Sequence, residues 1–239
     1  KRDASKAPRF AMSYGGNAYT LHVNEGIPTD RAVEIEEGFK ELHEGLYYWG
    51  AKVFERSIKT GYIESVDGWK LKLPKFDIFQ DYKKNIESIS KEEWTLYKEG
   101  KNEYKRWKQA KENKEKYFIE NQRAMDFYQN KKMTVSNFFK LRSEYERLCL
   151  NNPVQTRGAH QLKLATSLLF EWILEENLIN KVKICNSPYD EIVLESNKEF
   201  TPIATKKLEE CMIKAGNYYL TKLKIQAEAK SGESWGKAK

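Results

Sequence analysis

The strongest constraint on the fold and function of this chain comes from a pair of adjacent acidic residues. They lie at a predicted tight turn in the last third of the chain. Residues 182–186 and 192–195 are rich in β-branched and apolar side chains and predict the two strands of a β-hairpin, with a Ser-Pro pair supplying turn chemistry between them. Asp190 and Glu191 lie at the bend, where neighbouring carboxylates repel each other. A divalent cation bound by carboxylate oxygens would explain the pair. The alternative is a solvent-exposed turn with two incidental acids, because acidic turns are common.

Composition narrows the class of protein. The chain has 239 residues and is 40% hydrophobic, enough for one large domain or two small ones. Its net charge of +7 favours an acidic partner such as nucleic acid, although many inert surfaces are equally basic. The 3 cysteines are widely spaced without a CxxC motif, which argues against a zinc site and fits a reducing compartment. We expect no membrane segment and no signal peptide, and the absence of an initiator Met suggests that residue 1 is not the start of the gene product.

Cationic and aromatic residues recur at intervals of four near the N-terminus. The residues are Arg2, Lys6, Phe10 and Tyr14. On a helix this spacing places all of them along one stripe, and Gly15-Gly16 would end that helix. This order suits a nucleotide, because cationic side chains can bind its phosphates and aromatic rings can pack against its sugar and base. The alternative is an amphipathic helix whose aromatic residues belong to the core.

These segments, taken together, resemble the family A DNA polymerases, the DNA polymerase I-like group. The string Arg2-x3-Lys6-x3-Phe10-x3-Tyr14-Gly15 resembles the fingers-helix motif, and Asp190-Glu191-Ile-Val-Leu-Glu195 is similar to a palm motif that carries a metal-binding Asp. Between them, Glu146-Arg147-x3-Asn151-x-Pro153-x-Gln155-x7-Lys163 resembles the helix that contacts template and primer. The stretch 231–235 resembles the C-terminal tail of these enzymes. The likeness covers residues 1–74 and about 138–239, and the motifs occur in the family's order.

The resemblance implies roles for the residues of the N-terminal stripe. Arg2 and Lys6 would hold an incoming triphosphate, and Lys6 would protonate the departing pyrophosphate. Phe10 would pack against the sugar, and Tyr14 would lie near the nascent base pair and sense its shape.

The resemblance also implies a metal site and a DNA-binding surface. Asp190 would bind the catalytic Mg²⁺, with Glu191 as a weaker participant. Residues that would contact primer-template DNA are Arg147, Asn151, Gln155, Lys163 and Tyr189. Tyr189 stands where the family usually has His, so the contact to the primer end is expected to differ.

Further departures suggest a divergent, phage-like branch. Pro8 lies inside the predicted fingers helix and is expected to kink it. Thr156-Arg157 replaces a small, Gly-led pair. Trp69 replaces an Arg in the family's Asp-Gly-Arg hairpin, while Lys70 and its neighbours keep that hairpin basic.

The predicted fold class is α+β: polymerase fingers helices, part of an antiparallel palm sheet and a mainly helical insertion. We expect fingers helices over 1–60, a hairpin over 61–74, the insertion over 75–137 and the C-terminal palm over 138–239. In the insertion, an aromatic stripe predicts two or three long helices broken near Gly100; it indicates either a nucleic-acid clasp or a self-packed helical hairpin. Further helices are predicted over 161–178 and 202–215, and a final palm strand over 218–229.

The expected activity is template-directed DNA synthesis with Mg²⁺ and deoxynucleoside triphosphates, in the cytoplasm of a bacterial or phage-infected cell. Two-metal phosphoryl transfer needs carboxylates on both ions, and this chain supplies only one half of the pair. An acidic stretch at Asp81 loosely resembles the missing motif, but it follows the fingers helix instead of preceding it, so we reject it. The thumb and the partner Asp would then come from an upstream polymerase portion, in the same chain or a second one. The alternative function is a non-catalytic primer-template-binding module derived from a polymerase.

Overall fold

The computed structural model describes residues 6–238, which are mostly helical with two small antiparallel sheets. The helices are α1 (Lys6–Ser13), α2 (Ala18–Glu25), α3 (Thr29–Leu42), α4 (Glu44–Thr60), α5 (Phe76–Glu87), α6 (Lys91–Glu112), α7 (Gln122–Glu175) and α8 (Thr201–Tyr219). The strands are β1 (Tyr62–Glu64), β2 (Lys70–Lys72), β3 (Val182–Asn186) and β4 (Val193–Ser196), and a short 3-10 helix covers Trp235–Lys237. The predicted α+β class is confirmed. None of the helices within 6–238 is long and apolar enough to cross a membrane.

The described residues fall into two compact units. The first contains the residues up to Ile63 and Lys70–Asn151, and the second contains Glu64–Trp69 and the residues from Asn152 onward. Helix α7 is continuous over 54 residues. Its residues up to Asn151 belong to the first unit and the rest belong to the second. The boundary that we expected at 137/138 lies inside this helix, and the four-part domain division stays a prediction.

The core of the first unit lies between α4, α5 and the first part of α7. Its fully packed side chains are Phe54, Ile63, Leu73, Phe79, Phe138, Leu141, Tyr145 and Cys149. The rings of Phe79 and Phe138 stack with centroids 5.3 Å apart. The Tyr145 hydroxyl donates to the Pro74 carbonyl at 2.5 Å, which ties the end of the β1–β2 hairpin to α7.

Helices α1, α2 and α3 share a smaller core of Met12, Leu21 and Ala32. The side chain of Asn17 accepts a hydrogen bond from the Thr20 amide at 3.0 Å and caps α2. These contacts fix the chain immediately after α1, where the predicted nucleotide-contacting stripe ends.

Residues 75–137 are mainly helical, as predicted, but the predicted break at Gly100 is wrong. Gly100 is buried within α6, and a Cβ there would lie 1.9 Å from the Ala124 carbonyl oxygen. Glycine therefore permits α6 and the start of α7 to approach closely instead of ending the helix. The Tyr128 ring lies 5.2 Å from that of Tyr97 and 5.4 Å from that of Tyr104, so these aromatic residues pack on one another, as the self-packed alternative predicts.

The second unit packs the last part of α7 and helix α8 against the β3–β4 hairpin. Its core consists of Ala165, Leu169, Trp172, Ile173, Leu178, Val182, Ile192, Ala204, Cys211 and Ala215. The strands pair antiparallel with Ile184 opposite Leu194, and a bulge follows before Asn186. The predicted acidic hairpin is therefore confirmed as a hairpin.

The predicted strand over 218–229 is wrong. Helix α8 extends to Tyr219, and residues 220–229 form neither helix nor strand. The Ile225 amide donates to the Asn217 side chain at 3.2 Å, and the Ala229 amide donates to the Glu209 carboxylate at 2.8 Å. Side chains of α8 thus satisfy backbone groups that a sheet ladder would otherwise satisfy.

Candidate functional site

Helix α1 presents a cation and aromatic rings on one exposed face, as predicted. The Lys6 Nζ lies 5.9 Å from the centroid of the Phe10 ring, and the Phe10 and Tyr14 rings stack with centroids 6.3 Å apart. Phe10 is 50% exposed and Tyr14 is 46% exposed, so neither ring belongs to the core. Arg2 lies outside the described residues. Pro8 lies within the described part of α1, and the kink expected there stays a prediction.

The turn after α1 lies directly against α7. Gly15 has φ +78°, and a Cβ there would lie 3.1 Å from the Cγ of Arg147. Immediately before it, the Tyr14 carbonyl accepts a hydrogen bond from the side-chain amide of Asn151 at 3.0 Å. The structure therefore brings Tyr14 together with Arg147 and Asn151, which the sequence places in separate motifs.

Arg147 remains available for an outside partner. Its guanidinium donates to the Ser143 hydroxyl at 3.3 Å, and no ion pair holds it among the described residues. Asn151 uses one amide hydrogen on Tyr14 and retains a second hydrogen and its carbonyl oxygen. This face of the first unit can therefore meet hydrogen-bond acceptors.

The predicted DNA-contacting residues Gln155 and Lys163 lie on the part of α7 that belongs to the second unit, and both are exposed. The Lys163 Nζ lies 5.5 Å from the centroid of the Trp69 ring, and Trp69 immediately precedes β2. A cation stacked on an exposed indole is a surface that suits a nucleic-acid strand.

Sequence reasoning missed an ionic cluster next to Lys163. The two carboxylate oxygens of Asp67 contact Arg157 Nη1 at 3.0 Å and His160 Nδ1 at 2.8 Å. The His160 ring in turn lies 5.4 Å from that of Trp69. The sequence does contain an indirect signal, since Arg157 departs from the family pattern. Its partner could not be identified because Asp67 lies far away in the chain.

The acidic turn of the second unit is tight and exposed. The Glu191 amide donates to the Pro188 carbonyl at 3.0 Å, so Tyr189 and Asp190 occupy the corner, two residues later than the predicted Ser-Pro turn. Tyr189 has φ +54° and is 97% exposed. A large residue in the left-handed region is uncommon, and here it projects its ring fully into solvent.

The two acids of the turn differ in their contacts. Asp190 is exposed, and its carboxylate engages no partner within residues 6–238. Glu191 accepts a hydrogen bond through Oε1 from the indole Nε1 of Trp235 at 2.6 Å. Asp190 is thus the acid whose oxygens are open to a cation.

The acidic turn could supply only some of the ligands that a Mg²⁺ ion needs. Mg²⁺ is commonly held by one or two carboxylates together with substrate phosphates, and Asp190 supplies a hard oxygen ligand of this kind. Across residues 6–238, no three His, Cys, Asp or Glu side chains come together in a way that could hold a metal ion.

Two side chains with raised pKa values, Tyr145 and Cys149, lie in the protein core and not among the predicted site residues. Burial raises the pKa of Tyr145 to about 12, and nearby Glu144 and Asp77 add to this. Burial likewise raises the pKa of the Cys149 thiol, although a hydrogen bond with Ser57 opposes it. Both groups lie in the core of the first unit, so they stabilise the fold in their neutral forms.

Comparisons with known proteins agree on one family. The family model for DNA polymerase family A matches residues 1–237. DNA polymerase I of Aquifex aeolicus (strain VF5) is 38% identical over 88 residues, which cover 37% of this chain and 15% of that protein. The DNA polymerase of Bacillus phage SP01 is 29% identical over 101 residues, covering 40% of this chain and 11% of the relative. The chain therefore spans only a small part of the curated relatives it matches.

A solved structure shares the fold. The POL domain of Pol1 from M. smegmatis, in complex with a DNA primer-template and dNTP, aligns with a TM-score of 0.56 and 20% identity. The alignment covers 90% of this chain and 27% of that one. At this level of identity the match shows the fold of the described residues.

Proposed function

Because the chain belongs to DNA polymerase family A, we propose that it forms the fingers and C-terminal palm of a DNA-directed DNA polymerase. The reaction is in-line attack of a primer 3′-hydroxyl on the α-phosphate of the incoming deoxynucleoside triphosphate, directed by a template. The observation that carries the proposal is the Asn151–Tyr14 hydrogen bond of 3.0 Å. This bond joins the end of α1, which carries Lys6, Phe10 and Tyr14, to the face of α7 that carries Arg147. A nucleotide bound at α1 would therefore lie next to DNA bound at α7.

The exposed face of α1 suits the nucleotide. Lys6, together with Arg2, would hold the triphosphate, and the Lys6 ammonium has a proton to give to the pyrophosphate. The half-exposed ring of Phe10 would pack against the sugar, and Tyr14, at the end of the helix, would stack beside the new base pair.

Residues of α7 suit the primer-template. In the first unit, Arg147 and Asn151 offer hydrogen-bond donors that would bind the DNA minor groove. Because minor-groove acceptors occupy similar places in every correct base pair, these contacts would not depend on the DNA sequence. Gln155 and Lys163 offer exposed polar groups in the second unit, and Tyr189 offers a ring in solvent near the acidic turn. The net charge of +7 supports a polyanionic partner.

Asp190 would hold Mg²⁺, with Glu191 beside it. When bound, Mg²⁺ lowers the pKa of the primer hydroxyl and stabilises the charge on the leaving pyrophosphate. The second metal-binding carboxylate and the thumb would come from an upstream polymerase portion, in the same chain or in a second one. Such an enzyme acts where cellular or phage DNA is replicated, in the bacterial cytoplasm.

The test is primer extension by the complete gene product with Asp190→Asn. The variant should lose at least about a hundredfold in rate, because it removes the charge from a metal ligand. Asp81→Asn is the matched control, since Asp81 is an exposed acid on α5 in the rejected motif. Extension near the wild-type rate by Asp190→Asn would contradict the metal role. Primer-template binding without any Mg²⁺-dependent extension by the wild type would favour the non-catalytic module.

A further inference from the structure

The C-terminal segment 220–238 packs against α8 within the second unit although it joins no sheet. Its Ile225 amide and Ala229 amide are bound by side chains of α8, at 3.2 Å and 2.8 Å. The Ile225 side chain also lies over Gly216, where a Cβ would come within 2.5 Å of its Cγ1. A larger residue than glycine at 216 would therefore displace the segment.

This anchored segment ends at the acidic turn. Trp235 opens the short 3-10 helix, and its indole N–H donates to the Glu191 carboxylate at 2.6 Å, across 44 residues of chain. Lys237 closes the same helix by pairing with Glu233 at 2.7 Å. A hydrogen bond to a carboxylate is short and strong compared with one between neutral groups.

The contact distinguishes two otherwise similar acids. Asp190 is free of partners among the described residues, whereas Glu191 has one oxygen fixed by Trp235. The indole N–H restricts the orientation of the Glu191 carboxylate and leaves Oε2 for another ligand.

We propose that segment 220–238 is a strap that uses Trp235 to position Glu191 beside the metal-binding Asp190. Trp235 is then a positioning residue for the polymerase reaction, and this inference rests on the proposed function. Residues that orient a ligand in this way commonly change metal affinity by tenfold or more when they are replaced.

The variant Trp235→Phe removes the N–H and keeps an aromatic ring. In primer extension by the complete gene product, it should raise the Mg²⁺ concentration for half-maximal rate by about tenfold, without weakening primer-template binding. Trp107→Phe is the matched control, because Trp107 is an indole on α6 whose N–H binds no described residue. In a Glu191→Ala background, Trp235→Phe should have no further effect. An unchanged Mg²⁺ midpoint, or independent effects of the two substitutions, would overturn the proposal.

A second measurement tests the contact without the reaction. In the ¹⁵N-labelled 239-residue chain, the Trp235 indole N–H resonance, assigned from its loss in Trp235→Phe, should lie downfield and exchange slowly. Glu191→Ala should shift it upfield, whereas Glu228→Ala, an exposed acid of the same strap, should not. Equal responses to the two substitutions would refute the strap. If the wild type extends no primer, the proposed polymerase function fails, while this resonance still decides whether Trp235 positions Glu191.

Discussion

The side-chain amide of Asn151 donates a hydrogen bond to the Tyr14 carbonyl at 3.0 Å, and this bond joins two segments 137 residues apart. It fixes the C-terminal end of α1 to the face of α7 that carries Arg147. The position of the Tyr14 ring, which we propose lies at the nascent base pair, therefore depends on a side chain from the DNA-contacting helix.

Asn151→Asp should weaken nucleotide binding. The substitution keeps the shape of the side chain but places a carboxylate oxygen against the Tyr14 carbonyl oxygen, so the hydrogen bond is replaced by repulsion. We expect the KM for the matching nucleotide to rise by about tenfold in primer extension. Asn102→Asp, an exposed site on α6, is the matched control. Equal KM values for the two variants would contradict the proposed coupling.

Gly15→Ala tests the close approach of the α1 turn to α7. A Cβ at Gly15 meets both a positive φ of +78° and the Arg147 Cγ at 3.1 Å. Gly26→Ala is the control. Gly26 also has a positive φ, +66°, but a Cβ there has no neighbour within 4 Å, so this substitution measures the backbone strain alone. In urea unfolding we expect Gly26→Ala to cost about 1 kcal/mol and Gly15→Ala to cost measurably more. A smaller cost at Gly15 would mean that Arg147 does not pack there.

The ion pair between Asp67 and Arg157 should stabilise the second unit more than a surface pair does. The side chains of Asp67 and Arg157 are only 23% and 24% exposed. A double-mutant cycle with Asp67→Asn and Arg157→Gln should give a coupling of about 1 kcal/mol that weakens with salt. The cycle for Arg31 and Glu34, which are 67% and 64% exposed, should give less than about 0.5 kcal/mol. Equal couplings in the two cycles would show that the partial burial of Asp67 and Arg157 does not strengthen their ion pair.

Tyr145 should make stability depend on pH at alkaline values. Burial raises its pKa in the folded protein to about 12, whereas an exposed tyrosine titrates near 10. A raised pKa favours the neutral form in the fold, so its contribution is complete below about pH 10 and is lost as pH rises towards 12. The loss amounts to about 2 to 3 kcal/mol.

Urea unfolding of wild type and Tyr145→Phe between pH 9 and 12 measures this contribution. The free energy of unfolding should fall more steeply with pH for the wild type than for Tyr145→Phe. Tyr218→Phe is the control, because Tyr218 is 72% exposed and should leave the wild-type slope intact. Parallel slopes for wild type and Tyr145→Phe would show that Tyr145 is not titrating in the fold.

Local patterns in the sequence predicted the local structure of the site. The four-residue spacing of Lys6, Phe10 and Tyr14 was sufficient to place them on one helical face, and the Asp-Gly and Ser-Pro signals marked both hairpins correctly. These features depend on helix and strand periodicity, which is encoded within a few residues.

Long-range contacts could not be predicted in the same way. Asn151 and Tyr14, or His160 and Asp67, are joined only by tertiary packing, and nothing in their neighbours specifies the partner. The false strand at 218–229 had the right alternation, but α8 side chains bind its amides. Gly100 was misread because a buried glycine can serve close helix packing as well as chain breaking.

The most direct test of the central claim measures binding of the complete gene product to a primer-template with a dideoxy-terminated primer. With Mg²⁺ present, the nucleotide that matches the template should tighten binding by at least about tenfold, and the three mismatched nucleotides should not. The double variant Phe10→Ala/Tyr14→Ala should abolish this selective gain while retaining salt-dependent DNA binding. Binding that is indifferent to every nucleotide would contradict the account and leave a DNA-binding module without polymerase chemistry.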